Sequence, residues 1–290
     1  MTPLTDLGSG QYLGFAGGLY PKGKNIRPPA YEKVGVALAA TVGPVDEDGN
    51  PSTSGKVVMI SIGMSNASRE FSQFIQLADA DARKNPSLLI VDAALNGADA
   101  LQIAVPSAPY WGHVDRQLER APATPAQVQV AWVKMALAYE APGFPAKAQL
   151  LKGALRWTLE ILRTKFPQLK LIYISSRTYG GYSKIDLSVE PLSYESAFAV
   201  KWLIEERIKN QSRGRWTPWV SWGPYLWADG MSQRSDGLIW ELDDYEPDGV
   251  HPNTQGSLKA ATMLLDFFAN DSSAQHWCFS SRVKQLFATS

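Results

Sequence analysis

The sequence predicts an α/β protein, a three-layer α/β/α sandwich in which helices cover both faces of a central, mainly parallel sheet. Two observations carry this. Short runs that are apolar at consecutive positions alternate four times with longer amphipathic stretches, and a consecutive apolar run is what a strand buried on both faces requires. Strand-helix alternation of that kind builds a parallel sheet covered on both sides. The units share no sequence similarity, so the alternation is not that of a repeat protein.

Taken in order, residues 1–55 are rich in Gly and Pro, from Gly8 through Pro21 and Pro28-Pro29 to the turn at 46–51, and read as an irregular N-terminal extension. Residues 56–62 form the first apolar run and end at Gly63, and a helix is expected over about 68–82 with Phe71 and Phe74 on one side. Further strands are expected at 87–91, 128–133 and 169–174, with helices near 110–120 and 146–166. The last of these carries Leu151, Leu155 and Leu162 at helical spacing. A helix near 193–209 precedes an aromatic stretch in which Trp216, Trp219, Trp222, Tyr225, Trp227 and Trp240 fall within 25 residues, read as part strand and part long loop. A helix over about 253–268 follows, and a short one after it. The expected organisation is one domain over 1–290, with 56–290 as its catalytic core.

Composition narrows the partners. The chain is 45% hydrophobic and 19% charged, within the range of folded domains. Lys plus Arg equals Asp plus Glu at 28 each, and no dense basic run is present, which argues against nucleic acid. A lone cysteine, Cys278, excludes an internal disulfide and an all-cysteine zinc site. No apolar run approaches the roughly 20 residues that span a bilayer, and the N-terminus lacks the basic start and apolar stretch of a secretory signal. Neither a membrane partner nor a cofactor is expected, and compartment and oligomeric state stay open.

In a parallel sheet the loops after the strands converge on one edge, so residues just past each strand are the first candidates for a site. Ser65 follows the first strand, Gly97 the second and Lys134 ends the third. Asp248 and His251 sit before the last long helix. Acyl transfer needs a hydroxyl activated by a base, and a partner that fixes the base's tautomer. Of three histidines, His251 lies three residues after an acid on a Gly-containing turn that can aim both side chains the same way; His113 and His276 have no acid so placed. A metal-dependent alternative would draw on Asp229, Asp236, Asp248 and His251. The stretch at 63–67 misses the Gly-x-Ser-x-Gly elbow of α/β-hydrolases at Ala67, and the chain has no phosphate-binding glycine loop.

The order and spacing of these residues resemble the SGNH hydrolase superfamily, the GDSL-like esterases and lipases. Gly63-Met64-Ser65 stands for its first block, Gly97 for its second and Asp248 to Pro252 for its terminal Asp-x-x-His-Pro. The resemblance spans residues 56–268 and implies a flavodoxin-like fold. It also implies a Ser65–His251–Asp248 triad, and an oxyanion site made by the backbone amides of Ser65 and Gly97. Met64 replaces the family's usual Asp and Asn66 its frequent Leu. The larger departure is Lys134, which falls where the family carries an Asn that donates to the oxyanion; losing one such donor costs about 2.7–4 kcal/mol of barrier. Lys134 is therefore a candidate substitute donor.

The expected activity is hydrolysis of a short-chain or carbohydrate-linked ester through an acyl-enzyme. Arg177, Trp222 and Tyr225 are candidates for substrate binding, the aromatics as a platform for sugar rings. The alternative is a non-catalytic carbohydrate-binding protein on the same scaffold, silenced by Lys134. A pH–rate profile flat between about 5 and 8 would argue against an imidazole base.

Overall fold

The computed structural model of the chain describes residues 1–138, 143–211 and 218–279. In chain order its elements are α1 (Leu4–Leu7), β1 (Gln11–Tyr12), β2 (Phe15–Ala16), α2 (Pro29–Ala39), β3 (Val57–Gly63), α3 (Ser65–Ala80), β4 (Leu88–Val91), α4 (Ala100–Ile103) and α5 (Pro109–Arg120). There follow β5 (Val128–Lys134), α6 (Ala146–Lys165), β6 (Leu171–Ile174), α7 (Leu192–Asn210), β7 (Trp219–Trp222), α8 (Thr254–Asn270) and α9 (Gln275–Cys278). Each expected strand and helix has its counterpart within a few residues. Trp216 lies outside the described residues.

The larger sheet has five strands in the order β4-β3-β5-β6-β7, every pair parallel. Renumbered within the sheet this is 2-1-3-4-5, the flavodoxin-like order. Side chains alternate between the two faces along each strand. Val58, Ile60, Ile62, Ala131, Val133, Ile172 and Ile174 face one core with residues of α5, α6 and α7. Val57, Met59, Val130, Trp132, Leu171 and Tyr173 face the other with residues of α2, α3 and α8. Helices thus cover both faces, and the strands can be apolar throughout because neither face meets water.

The N-terminal region departs from the irregular extension expected of it. It holds an 11-residue helix, α2, with Pro29 in its first turn, where the missing N–H is no loss because that amide has no intrahelical partner. Pro28-Pro29 is therefore a helix start and not a break. The region also closes the edge strand β7: Tyr31 Oη donates to the Val220 carbonyl at 2.7 Å, Arg27 Nε to Ser221 Oγ at 2.7 Å, and Trp222 Nε1 to the Leu19 carbonyl at 2.8 Å. Covering an edge in this way removes a template for unwanted strand pairing.

Candidate active site

The crevice of a flavodoxin-like sheet lies where the strand order reverses, between its first and third strands. Here that is the gap between the ends of β3 and β5, and Ser65 stands in it as the first residue of α3. The chain turns from strand to helix within two residues, which brings α3 back against β5. A Cβ on Gly63 would stand 2.3 Å from the Lys134 carbonyl oxygen and 2.6 Å from the Ala67 Cβ, so only glycine fits there. The first amides of α3, Ser65 among them, have no intrahelical carbonyl to bind and lie at the positive end of a 16-residue helix.

Ser65 Oγ lies 2.8 Å from His251 Nε2, and His251 Nδ1 lies 2.7 Å from Asp248 Oδ2. The other oxygen of Asp248 accepts from the backbone amides of Val250 at 2.9 Å and His251 at 3.0 Å, which fixes the carboxylate within its own turn. Burial alone would raise the Asp248 carboxyl, but the hydrogen bonds from the His251 ring and the two amides outweigh it and hold the group at about 2. The acid therefore stays ionised where it can orient the imidazole and stabilise its charged form.

Asn66 is 2% exposed, and its Nδ2 donates to the Val250 carbonyl at 2.9 Å. This bond clamps the start of α3, which carries Ser65, to the loop that carries His251. Arg69, one turn further along α3, donates to the Pro252 carbonyl at 3.1 Å and pairs with Glu246. Neither role was read from the sequence, where Asn66 figured only as a departure from the family pattern.

The loop after β4 carries Gly97, whose φ of +76° is left-handed and costs glycine little. That loop is tied to β3 at several points. Asp92 accepts from Ser61 Oγ at 2.5 Å, from Ser68 Oγ at 2.6 Å and from the Ala94 amide at 3.2 Å. Ser61 Oγ accepts the Ala93 amide at 3.0 Å, and the Leu95 amide donates to the Gly63 carbonyl at 3.0 Å. Tyr110 Oη accepts from the Gly63 amide and donates to the Ala93 carbonyl, both at 3.1 Å. Burial pushes the Asp92 carboxyl up, and the serine hydroxyls pull it back. An acid directly after the apolar run at 88–91 was the available signal for this network.

Lys134 ends β5 opposite Gly63, and its ammonium is ion-paired with both oxygens of Glu70, five residues past Ser65 on α3. The pair is almost fully buried, with side chains 2% and 0% exposed. Burial drives Lys134 down, to about 8, and drives the Glu70 carboxyl up, while the ion pair opposes both shifts. An ammonium has three donors and two are taken by Glu70, which leaves one N–H for another partner. Arg177, past the end of β6, is 4% exposed. His113 lies on α5, where its ring is hydrogen-bonded with the Ala94 backbone and stands 3.5 Å from Gln117, and His276 on α9 is exposed.

Trp222 and Tyr225 correct the expectation of a sugar platform. They are 2% and 4% exposed, and their polar atoms are spent on the N-terminal segment: Trp222 Nε1 on Leu19, and Tyr225 Oη on the Leu4 amide at 3.2 Å. They edge a cavity of about 550 Å³ beside β7, whose lining includes none of Ser65, His251 and Asp248. Trp219, Trp227 and Trp240 are buried as well. Large aromatics fill space under long loops before they decorate clefts, and here the loop from 223 to 240 needed filling. Asp229 and Asp236, the other members of the metal-dependent alternative, are engaged by the N-terminal ammonium and by Arg234. Among the described residues no three His, Cys, Asp or Glu side chains gather as a metal site, and no helix is long and apolar enough to cross a membrane.

With Ser65 at the switch point and the acid–histidine turn ahead of α8, the architecture can be placed. It is a flavodoxin-like α/β/α fold. No family model matches the sequence, and no curated protein matches it. Similar solved structures include a catalytic mutant of an acetylxylan esterase from Geobacillus stearothermophilus, 12% identical, with a TM-score of 0.43 over 77% of this chain and 96% of that one. A GDSL-like lipase from Bacteroides thetaiotaomicron is 10% identical, with a TM-score of 0.40 over 81% of this chain and 95% of that one. A carbohydrate esterase of family 3 from Talaromyces cellulolyticus is 15% identical, with a TM-score of 0.36 over 72% of this chain and 94% of that one.

Proposed function

We propose that the chain is a serine esterase that hydrolyses a short-chain carboxylic ester through an acyl-enzyme, with Ser65 as nucleophile, His251 as general base and Asp248 as its orienting acid. One observation carries this reading: a hydroxyl and an imidazole 186 residues apart in sequence stand at 2.8 Å, with a carboxylate 2.7 Å behind the imidazole. Such a relay is what acyl transfer requires, and chance packing seldom supplies all three partners in order.

In this mechanism neutral His251 takes the Ser65 proton as Oγ attacks the ester carbonyl. The oxyanion is held by the amides of Ser65 and Gly97 and by the third N–H of Lys134, standing in for the side-chain amide usual in the family. His251 then protonates the leaving alcohol, and water repeats the cycle on the acyl group. Glu70 supports the role of Lys134 by limiting its freedom, since a long flexible ammonium is a poor donor until it is held.

The non-catalytic carbohydrate-binding alternative has less support, because the aromatics it relied on are buried and the relay is intact. A fluorophosphonate separates the two. Mass spectrometry is expected to place the adduct on Ser65, and the Ser65→Ala and His251→Ala variants are expected to lose hydrolysis of 4-nitrophenyl acetate and acetylated sugars. No adduct and no turnover across that panel would refute the esterase reading.

A further inference from the structure

The loop after β6 supplies no member of the relay, yet its stretch Tyr179-Gly180-Gly181-Tyr182 leads straight onto the turn that bears Asp248 and His251. The Lys184 amide donates to the Asp248 carbonyl at 2.9 Å. Beside that bond Gly249 has a left-handed φ of +70°, and a Cβ there would stand 1.8 Å from the Tyr182 carbonyl oxygen and 2.5 Å from its carbon. The main chain of 182–184 therefore lies directly against Asp248 and Gly249, and only glycine permits the approach.

Side chains hold that segment in place. The Tyr182 ring meets Tyr179 edge-on at 5.0 Å and Tyr245 edge-on at 5.8 Å, and its Oη donates to the Trp240 carbonyl at 3.0 Å. A Cβ on Gly181 would stand 2.0 Å from Tyr179 Oη, so a side chain there would displace the first ring. Tyr245 Oη donates to the Tyr179 carbonyl at 2.9 Å. Tyr245 also pairs with Pro252 as an antiparallel bridge, and the Glu246 amide donates to the His251 carbonyl at 2.8 Å. Three tyrosines thus join the loop after β6 to the stretch around the relay's acid and base.

The turn needs such support. Its internal bonds, from the Val250 and His251 amides and the His251 ring to Asp248, keep its own shape but do not fix its place relative to Ser65. Asn66 and Arg69 of α3 hold its later residues through the Val250 and Pro252 carbonyls. Residues 182–184 hold its first two. We infer that Tyr182 is a positioning residue, which acts through Asp248 and Gly249 to seat the turn so that the imidazole stays within hydrogen-bonding distance of Ser65 Oγ. The inference rests on the esterase reading and adds the loop after β6 to the elements that build the site. A misplacement of about 1 Å can cost about 10²-fold in rate, so a small movement of this turn suffices.

Tyr182→Ala is expected to lower kcat on 4-nitrophenyl acetate about 10- to 100-fold with KM within about twofold, and Tyr182→Phe, which keeps both ring contacts, to restore most of it. The acid limb of kcat/KM against pH is expected to keep its midpoint, because the bonds between Asp248 and His251 lie within the turn. Fluorophosphonate separates positioning from a merely structural role: a displaced relay labels Ser65 slowly but to a full endpoint of one adduct per chain, whereas unfolded chain lowers the endpoint. If the alanine variant unfolds, Tyr182→Leu takes its place, keeping apolar bulk without the ring contacts. Labelling of a folded variant at the unaltered rate, a rise in KM at constant kcat, or a rate loss matched by a lost endpoint in both variants overturns the inference and leaves the esterase reading standing. No adduct on Ser65 and no hydrolysis by the unaltered protein overturns both.

Discussion

The ion pair between Lys134 and Glu70 offers the sharpest test of how this site is built. Lys134→Met keeps an unbranched side chain, one atom shorter, and removes its charge, which strands the Glu70 carboxylate at 0% exposure. Removing one partner of a buried pair costs about 3–5 kcal/mol, because the remaining charge is left uncompensated. Arg177 acts on Glu70 from a distance and offsets part of the loss, so the lower end of that range is expected. Unfolding entropy near 2.1 cal/mol/K per residue gives about 0.6 kcal/mol/K for this chain, so a loss of about 3 kcal/mol should lower the melting temperature by about 5 °C. Glu70→Met strands the ammonium and should cost a similar amount. The double variant removes both charges together and should cost less than the two single losses combined, with a coupling of at least about 2 kcal/mol. Urea unfolding followed by tryptophan fluorescence measures the cycle, since Trp132 stacks on Phe71 beside the pair at 5.3 Å. Single losses under about 1 kcal/mol that add to within about 0.5 kcal/mol would refute the pairing.

Two further outcomes follow from the same geometry. The Asp248 carboxyl is held below its ordinary value, at about 2 against 3.8, so its contribution to stability is full above the unfolded value and is lost as pH falls through the folded one. Asp248→Asn should accordingly flatten the dependence of unfolding free energy on pH between about 4 and 2; a variant with an unchanged slope there would contradict the bonds to His251. Asp92→Asn puts an amide donor among serine donors and loosens the loop that carries Gly97. Steady-state kinetics on 4-nitrophenyl acetate should show kcat lower by about 10- to 100-fold with KM nearly unchanged, because misplacing a transition-state donor spares ground-state binding. A rise in KM at constant kcat would remove Asp92 from that role.

The strands were legible because a run apolar at consecutive positions has few structural meanings, and those at 57–63 and 128–134 lie within a residue of the runs at 56–62 and 128–133. The Asp248–His251 pairing was legible for a related reason. Three residues and a glycine suffice to bring the two side chains together, and the carboxylate is fixed by amides of its own turn. The helix at 29–39 was missed because a Pro-Pro pair reads as a break when its position in the helix is unknown. The aromatic stretch misled because composition does not say which side of a ring faces solvent.

The sequence by itself determined the layer order of this protein, the strand that delivers Ser65 and the turn that couples an acid to His251. Each of these is set by neighbours within a strand, a helical turn or a loop. Only the tertiary structure decided that Lys134 is paired with Glu70, 64 residues away, that Asn66 holds the loop before α8, and that Trp222 and Tyr225 are buried beneath the N-terminal segment. Those outcomes depend on sheet register and on how helices seat against it. A buried charge or ring takes its partner from whatever the packing brings within reach, and no local periodicity carries that information.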